Sequence, residues 1–227
     1  MQQTTLNLIA LGIFLMTLSV VLGPLIHLPQ SVPAIATLGV LVLATADRFV
    51  WQGLGGTLLV DFVARFSEEH RERILHHEAG HFLAAYLYEI PVTDYSLSAW
   101  EAFRQGQPGF GGVVFAAAAP EASKTLLEQQ QQVNRYCITL MAGIAAEQLE
   151  YQSVEGGGDD RRQLINALAD LGLSGEAIRL KLQWAQVQAQ GLIERNQAAY
   201  AGLVAAMRDR KPVADCLDLL AAQTATA

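Results

Sequence analysis

No charged side chain occurs before Asp47 in this 227-residue chain, and inside that neutral start Leu6 to Ile26 is almost continuously apolar. As a helix rising about 1.5 Å per residue, such a run crosses a hydrocarbon core about 30 Å thick. The sequence therefore predicts a transmembrane helix. A cleaved signal peptide is the competing reading, because Ala34-Ile35-Ala36 has the look of a small-residue cleavage site. The lack of Lys and Arg from Met1 to Thr5, and the length of the run, favour the anchor. Pro24, Pro29 and Pro33 bracket a short turn, after which Ala34 to Ala46 is apolar again, long enough for a second crossing if Ser31 to Pro33 and Phe49 to Trp51 extend it. Residues 1–51 are thus expected to form a transmembrane helical hairpin. All Lys and Arg lie after the second apolar run ends at Ala46, beginning with Arg48, Arg65, Arg71 and Arg73, so the positive-inside rule places the rest of the chain, and the N-terminus, on the cytoplasmic or equivalent stromal side.

Composition supports a membrane segment and narrows the partners. Hydrophobic residues make up 52% of the chain and mean hydropathy is +0.25, both high for a wholly soluble protein. A net charge of −7 with scattered Lys and Arg leaves no basic footprint, so nucleic acid is not an expected partner. Cys137 and Cys216 lie far apart and form no CxxC pair, which argues against a disulfide framework and a Cys-based zinc site.

Beyond the anchor, Leu54, Leu58, Phe62 and Phe66 recur at helical spacing, with Asp61 and Arg65 on another face. Residues 52–66 are therefore expected to form an interfacial or linker helix, a core helix of the soluble part being the alternative. Ser67 followed by Glu68 and Glu69 reads as an N-cap with an acidic first turn, opening a helix that runs to about Glu89 before Pro91 stops it. That helix carries His77-Glu78-Ala79-Gly80-His81. Two histidines four apart project from one helical face and can grip one metal ion, with Glu78 beside the first placed to act on a water held there. Charged residues from Glu68 to Arg73 keep the motif out of a membrane span.

Val92 to Ser98 and Gly112 to Ala117 are the strand candidates, separated by a loop from Gln105 to Gly111. The second strand could offer an edge on which an extended peptide adds as another strand. Lys124 to Tyr151 reads as helix. Gly156-Gly157-Gly158 breaks it, Asp159 or Asp160 caps the next helix, which ends at Gly172, and Ser174 to Arg210 is amphipathic helix with a break near Gly191 or Asn196. Val213 to Ala222 closes the chain.

A catalytic zinc commonly takes three protein ligands and leaves a position for water. No histidine follows His81, so a carboxylate must complete the set: Glu147 or Glu150, or Asp159 or Asp160. His70, seven residues before His77, lies in the first turn among charges and reads as solvated, while His76 points about 100° away from His77.

Three stretches together carry a family resemblance: Leu75-His76-His77-Glu78-Ala79-Gly80-His81; Met141-Ala142-Gly143-Ile144-Ala145-Ala146-Glu147-Gln148-Leu149; and Gly156-Gly157-Gly158-Asp159-Asp160-Arg161. In this order they resemble the peptidase domain (peptidase M41) of the FtsH family of membrane-bound zinc proteases, and Trp184 to Leu220 is similar to that family's closing helices. The resemblance implies a mainly α-helical zinc-peptidase domain over residues 67–222 with a small β-sheet, and Zn2+ held by His77, His81 and Asp160, Asp159 being the one-residue alternative. It also implies Glu78 as the base of a hydrolysis by zinc-activated water. Ile144 stands where the family usually has Arg. The family's ATPase module has no counterpart, since no GxxxxGK[ST] occurs in this sequence. The expected function is an ATP-independent, membrane-anchored zinc metalloendopeptidase acting on unfolded or flexible protein segments near the membrane. The alternative is a non-proteolytic partner or assembly factor of an ATPase-bearing relative. A homo-oligomer, or association with ATPase-bearing FtsH-like subunits, is suggested by the family.

Overall fold

The computed structural model describes residues 2–27, 29, 31–50, 55–56, 67–106, 112–116 and 125–224. Two compact units emerge, Met1–Glu68 and Glu69–Ala227.

In the first unit, α1 (Gln2–Leu22) is followed by a 3-10 turn (Gly23–Ile26) and α2 (Ser31–Val50). Pro24 sits in the first turn of the 3-10 segment, where a missing N–H costs nothing, and His27 closes it at φ 57° with its N–H on the Gly23 and Pro24 carbonyls. Leu6–Leu25 and Ser31–Val50 are long and apolar enough to cross a membrane. Side chains such as Leu11, Phe14, Val21, Leu41 and Leu43 are exposed, which water would penalise and hydrocarbon would not. Hydroxyls on these helices are satisfied internally, Thr17 Oγ1 donating to the Ile13 carbonyl (2.9 Å) and Thr45 Oγ1 to that of Leu41 (2.7 Å), as a medium without hydrogen-bonding partners demands. Asp47 accepts the backbone N–H groups of Gly55 (2.7 Å) and Gly56 (2.9 Å), two residues in helical conformation. The remainder of the expected helix over 52–66 lies outside the described residues.

The second unit is mainly helical. Its elements are α3 (Glu68–Leu87), β1 (Val92–Ser96), α4 (Ala99–Gln105), β2 (Gly112–Phe115), α5 (Leu126–Tyr151), α6 (Gly158–Asp170), α7 (Gly175–Arg195), α8 (Gln197–Arg208) and α9 (Val213–Thr224). Leu75, His77 and every residue from Ala79 to Ala85 of α3 are buried, so this helix threads the core rather than lying on it with one face. Small side chains make that possible. An added Cβ at Gly80 would meet the Ala142 carbonyl oxygen at 2.5 Å, so α3 and α5 cross at a distance only glycine allows. Phe82, Leu83, Met141, Ile144, Leu164, Leu168, Leu203, Met207 and Leu220 fill the interior around this crossing.

β1 and β2 form a two-stranded antiparallel sheet with Val92 opposite Phe115, Tyr95 opposite Val113 and Ser96 opposite Gly112, and an irregularity between Val92 and Asp94. The Ala116 N–H bonds to the Pro91 carbonyl (2.8 Å) and the Gly112 N–H to Ser96 Oγ (3.0 Å). Even-numbered amides of β2 therefore face β1, and those of Val113 and Phe115 face away. A proline at Val114 would cut the ladder to β1, so it does not test the outer edge by itself.

Local differences from the sequence reading have clear causes. β1 stops at Ser96, two residues short of the expected strand, because Ser98 is the N-cap of α4, its hydroxyl accepting the Glu101 N–H (3.1 Å); the sequence reading assigns no element to most of this helix. α6 is capped by Gly157 at φ 74°, not by Asp159 or Asp160, which lie inside its first turn. The break in the C-terminal helix falls at Asn196, whose Nδ2 donates to the Leu192 carbonyl (2.8 Å), while Gly191 stays helical. Thr125 and Glu128 form a capping box that starts α5, with Lys124 outside the described residues.

Candidate metal centre

His77 and His81 leave the buried face of α3 one turn apart, 8% and 4% exposed. The hydrogen bonds at their far nitrogens set their orientation. His81 Nδ1 lies 2.8 Å from the Thr139 carbonyl, which can only accept, so Nδ1 carries the proton. His77 Nδ1 lies 2.6 Å from Glu147 Oε1. Glu147, 2% exposed, also accepts the N–H groups of Glu155 (2.8 Å) and Gly156 (3.1 Å) and is held ionised: burial opposes this, but His77 and these amides prevail. It too is an acceptor, and His77 Nδ1 donates to it.

Both Nε2 atoms are thereby turned inward. They stand 3.0 Å apart, and Asp160 Oδ2 lies 3.0 Å from that of His77 and 3.5 Å from that of His81. The three form the only group of at least three potential ligands among the described residues. Two imidazole lone pairs and a carboxylate oxygen converging on one point repel unless a positive charge sits among them. Ligands of a tetrahedral zinc with bonds of about 2.0–2.1 Å are roughly 3.4 Å apart, so the donor set and its spacing fit such an ion. Without one, a proton takes the place: burial disfavours an imidazolium, yet the bonds to Asp160 and Glu147 push His77 up to about 10, and the histidines hold Asp160 well below the usual carboxylate range despite its burial.

Packing around the centre is close. A Cβ on Gly143 would lie 2.5 Å from each Nε2, so only glycine on α5 leaves the space in which these atoms meet. At Gly156 a Cβ would lie 2.5 Å from Glu147 Oε1. α6 brings Asp160 in from its first turn and is anchored by the buried Leu164 and Leu168.

Glu78 is partly buried beside these three side chains, its Oε2 accepting the outward-facing Val113 N–H of β2 at 3.0 Å. Burial raises its pKa against the lowering influence of both histidines and the Val113 amide. Its proton affinity is thus moved toward neutral pH, where a group that both takes and returns a proton is most effective.

Of the carboxylates open as third ligand, Asp160 reaches the histidines. Asp159 pairs with Arg162 and its side chain is 61% exposed, and Glu147 orients His77 from the far side of the ring. Glu150 lies near His76, whose Nδ1 pairs with the Tyr200 hydroxyl at 2.8 Å; His70 and His76 are not in the converging group. Sequence reasoning missed the orienting role of Glu147, the Thr139 carbonyl, the Val113 amide and the space left by Gly143. The only trace was the small-residue run Ala142-Gly143 with Ala145-Ala146, which is compatible with close helix packing.

No family model matches the chain. It is similar to the protein named ATP-dependent zinc metalloprotease FtsH 1 of Methylacidiphilum infernorum (isolate V4), 31% identical over 105 residues. That stretch covers 45% of this chain and 15% of the relative, so the chain spans a small part of that protein's length. The similarity supports a distant relationship to FtsH over these residues.

Proposed function

We propose that this chain is a membrane-anchored zinc metalloendopeptidase that works without its own ATPase, cleaving unfolded or flexible protein segments close to the membrane. The observation that carries the reading is the convergence of His77 Nε2, His81 Nε2 and Asp160 Oδ2 beside the Glu78 carboxylate. In this reading residues 1–51 are the anchor, 52–66 the link and 67–222 the peptidase domain, lying on the cytoplasmic or equivalent stromal side. The relative's name, with zinc and proteolysis in it, is in keeping with this.

His77, His81 and Asp160 would hold the ion, with Glu147 and the Thr139 carbonyl fixing the two rings. Zinc bound there would supply Lewis acidity, acidifying a water and polarising the scissile carbonyl. Glu78, aligned by the Val113 amide, accepts the water's proton and passes it to the leaving amine. The outer edge of β2, with the Val113 carbonyl and the Phe115 amide facing away from β1, would pair with an extended peptide by main-chain bonds and so without reading its sequence.

The test is zinc content and casein-type peptide release by the detergent-purified protein beside its Glu78→Gln variant, without ATP. Zinc in both and cleavage only by the parent is expected. Zinc in both with cleavage in neither would transfer the chain to the role of a non-proteolytic partner of an ATPase-bearing protease.

A further inference from the structure

Arg73 stands one helical turn before His77 on α3, near enough in angle to share its face, and its side chain is only 11% exposed. A guanidinium so far out of water needs partners, and those of Arg73 lie mainly where α5 ends. Its central carbon sits 4.3 Å from the centre of the Tyr151 ring, Nη1 donates to Ser153 Oγ (3.1 Å), and Nε lies 3.8 Å from Glu155 Oε1. Glu69, a turn earlier on α3, accepts from Nε (3.4 Å) and Nη2 (3.2 Å).

The segment that Arg73 grips delivers the amides on which Glu147 depends. α5 ends at Tyr151, Gln152 reverses the chain at φ 56°, and the Glu155 and Gly156 N–H groups return to the Glu147 carboxylate at 2.8 and 3.1 Å. Its own anchoring is thin. Gln152, Ser153 and Glu155 are exposed, Gly156 to Gly158 carry no side chain, and Val154 is the residue that packs against the core. Gly157 is seated separately, since an added Cβ there would collide with Ile144. Residues 153–155 are thus held by Val154 from within and by Arg73 from α3. Were they to move, the buried Glu147 carboxylate would keep His77 Nδ1 (2.6 Å) and lose the two amides that fix its own rotation.

We infer that Arg73 is a positioning residue of the metal centre: it holds residues 153–155 so that the Glu155 and Gly156 amides fix Glu147, and Glu147 in turn fixes the His77 ring. This rests on the zinc reading of the centre for its effect on affinity, and not for its effect on the ring. Arg73 reaches the centre only through this route, so its influence disappears when Glu147 is removed. A residue that merely ties α3 to α5 would act the same with or without Glu147.

The experiment is a double-mutant cycle on the full-length protein in detergent. Zinc affinity is measured by chelator competition in the parent, Arg73→Met, Glu147→Ala and the double variant; Met keeps an apolar stem and removes the donors. Arg73→Met is expected to raise the zinc Kd at least about fivefold in the parent, and to add nothing in the Glu147→Ala background. Ser153→Ala, at an exposed position where folding is not at stake, should raise it about twofold, and Ser153→Thr, which keeps the hydroxyl, should restore parental affinity. Equal losses in both backgrounds, or no loss in either, overturn the inference. If Arg73→Met does not fold, Ser153→Ala in the same cycle decides, and unaltered affinity there overturns it. A second readout needs no metal. In chelated protein with 15N-labelled histidine, the His77 Nδ1 proton is identified by its loss in Glu147→Ala, and its exchange with water should be at least about fivefold faster in Arg73→Met. A Kd effect without faster exchange assigns the loss to another route and overturns the inference. Faster exchange in a protein whose parent binds no zinc removes the zinc reading and leaves the positioning role. Zinc bound by the parent, with affinity and exchange both unaltered in Arg73→Met, removes the positioning role and leaves the zinc reading.

Discussion

Glu147 does for His77 what the Thr139 carbonyl does for His81: each accepts the Nδ1 proton and so aims Nε2 at Asp160. Glu147→Ala should therefore weaken zinc binding about 10- to 100-fold, measured by chelator competition, without touching a ligand. Gly143→Ala is expected to do more. A methyl 2.5 Å from both Nε2 atoms would fill the point where the three side chains converge, so zinc per protein should fall below one half while far-UV dichroism keeps its helical amplitude. The centre also makes a pH prediction. With metal removed, His77 is raised above its unfolded value to about 10, so its contribution to stability is fully present below about pH 6.5 and is lost as pH rises toward 10. Asp160 is depressed, so its contribution is present above its unfolded value and is lost as pH falls. The Tm of the chelated protein should thus decline between pH 7 and 10, and less so in the zinc-loaded protein, where the ion replaces the proton.

At the scale of elements, each helix brings one part of the centre and is held by its own packing. α6 carries Asp160 and buries only Leu164 and Leu168. Leu164→Ala should cost about 2–5 kcal/mol by lost contacts and a cavity. Because Asp160 lies four residues away on the same helix, zinc affinity should fall along with Tm. On β2, Val113→Pro removes the amide that aligns Glu78, and because that amide faces away from β1 the sheet ladder survives. Cleavage should drop tenfold or more, part of the roughly 10²–10⁴-fold owed to general acid–base catalysis, with zinc content unchanged. Retained cleavage would mean that Glu78 acts without this amide. Helix identities in this unit were legible from periodicity and caps, because apolar spacing, Pro91 and the glycine break act locally. α4 was not, because seven residues show too few turns for a period to stand out, and its cap, Ser98, sits where a strand pattern was still running.

The whole molecule divides into a unit of membrane-length helices and a helical unit with its own core. A chain beginning at Ser67 is therefore expected to be soluble, to melt cooperatively and to bind one zinc per molecule, whereas the full chain should require detergent. Failure of the shorter chain to fold would show that the two units share stability.

What the sequence determined by itself follows from short-range rules: apolar length for two helices long enough to cross a membrane, the four-residue spacing that puts His77 and His81 on one face, and carboxylates as the candidates to join them, since no histidine follows His81. Tertiary structure alone decided which carboxylate arrives. Asp159 and Asp160 are adjacent and chemically near-identical, and only the docking of α6 through Leu164 and Leu168 turns one to the histidines and the other to Arg162. It also decided that Glu147 meets Nδ1 of His77 and not the converging Nε2 atoms, since that depends on where α5 crosses α3 at Gly80 and Gly143. A contact between residues seventy apart leaves no periodicity in the chain; it exists only once the helices have packed.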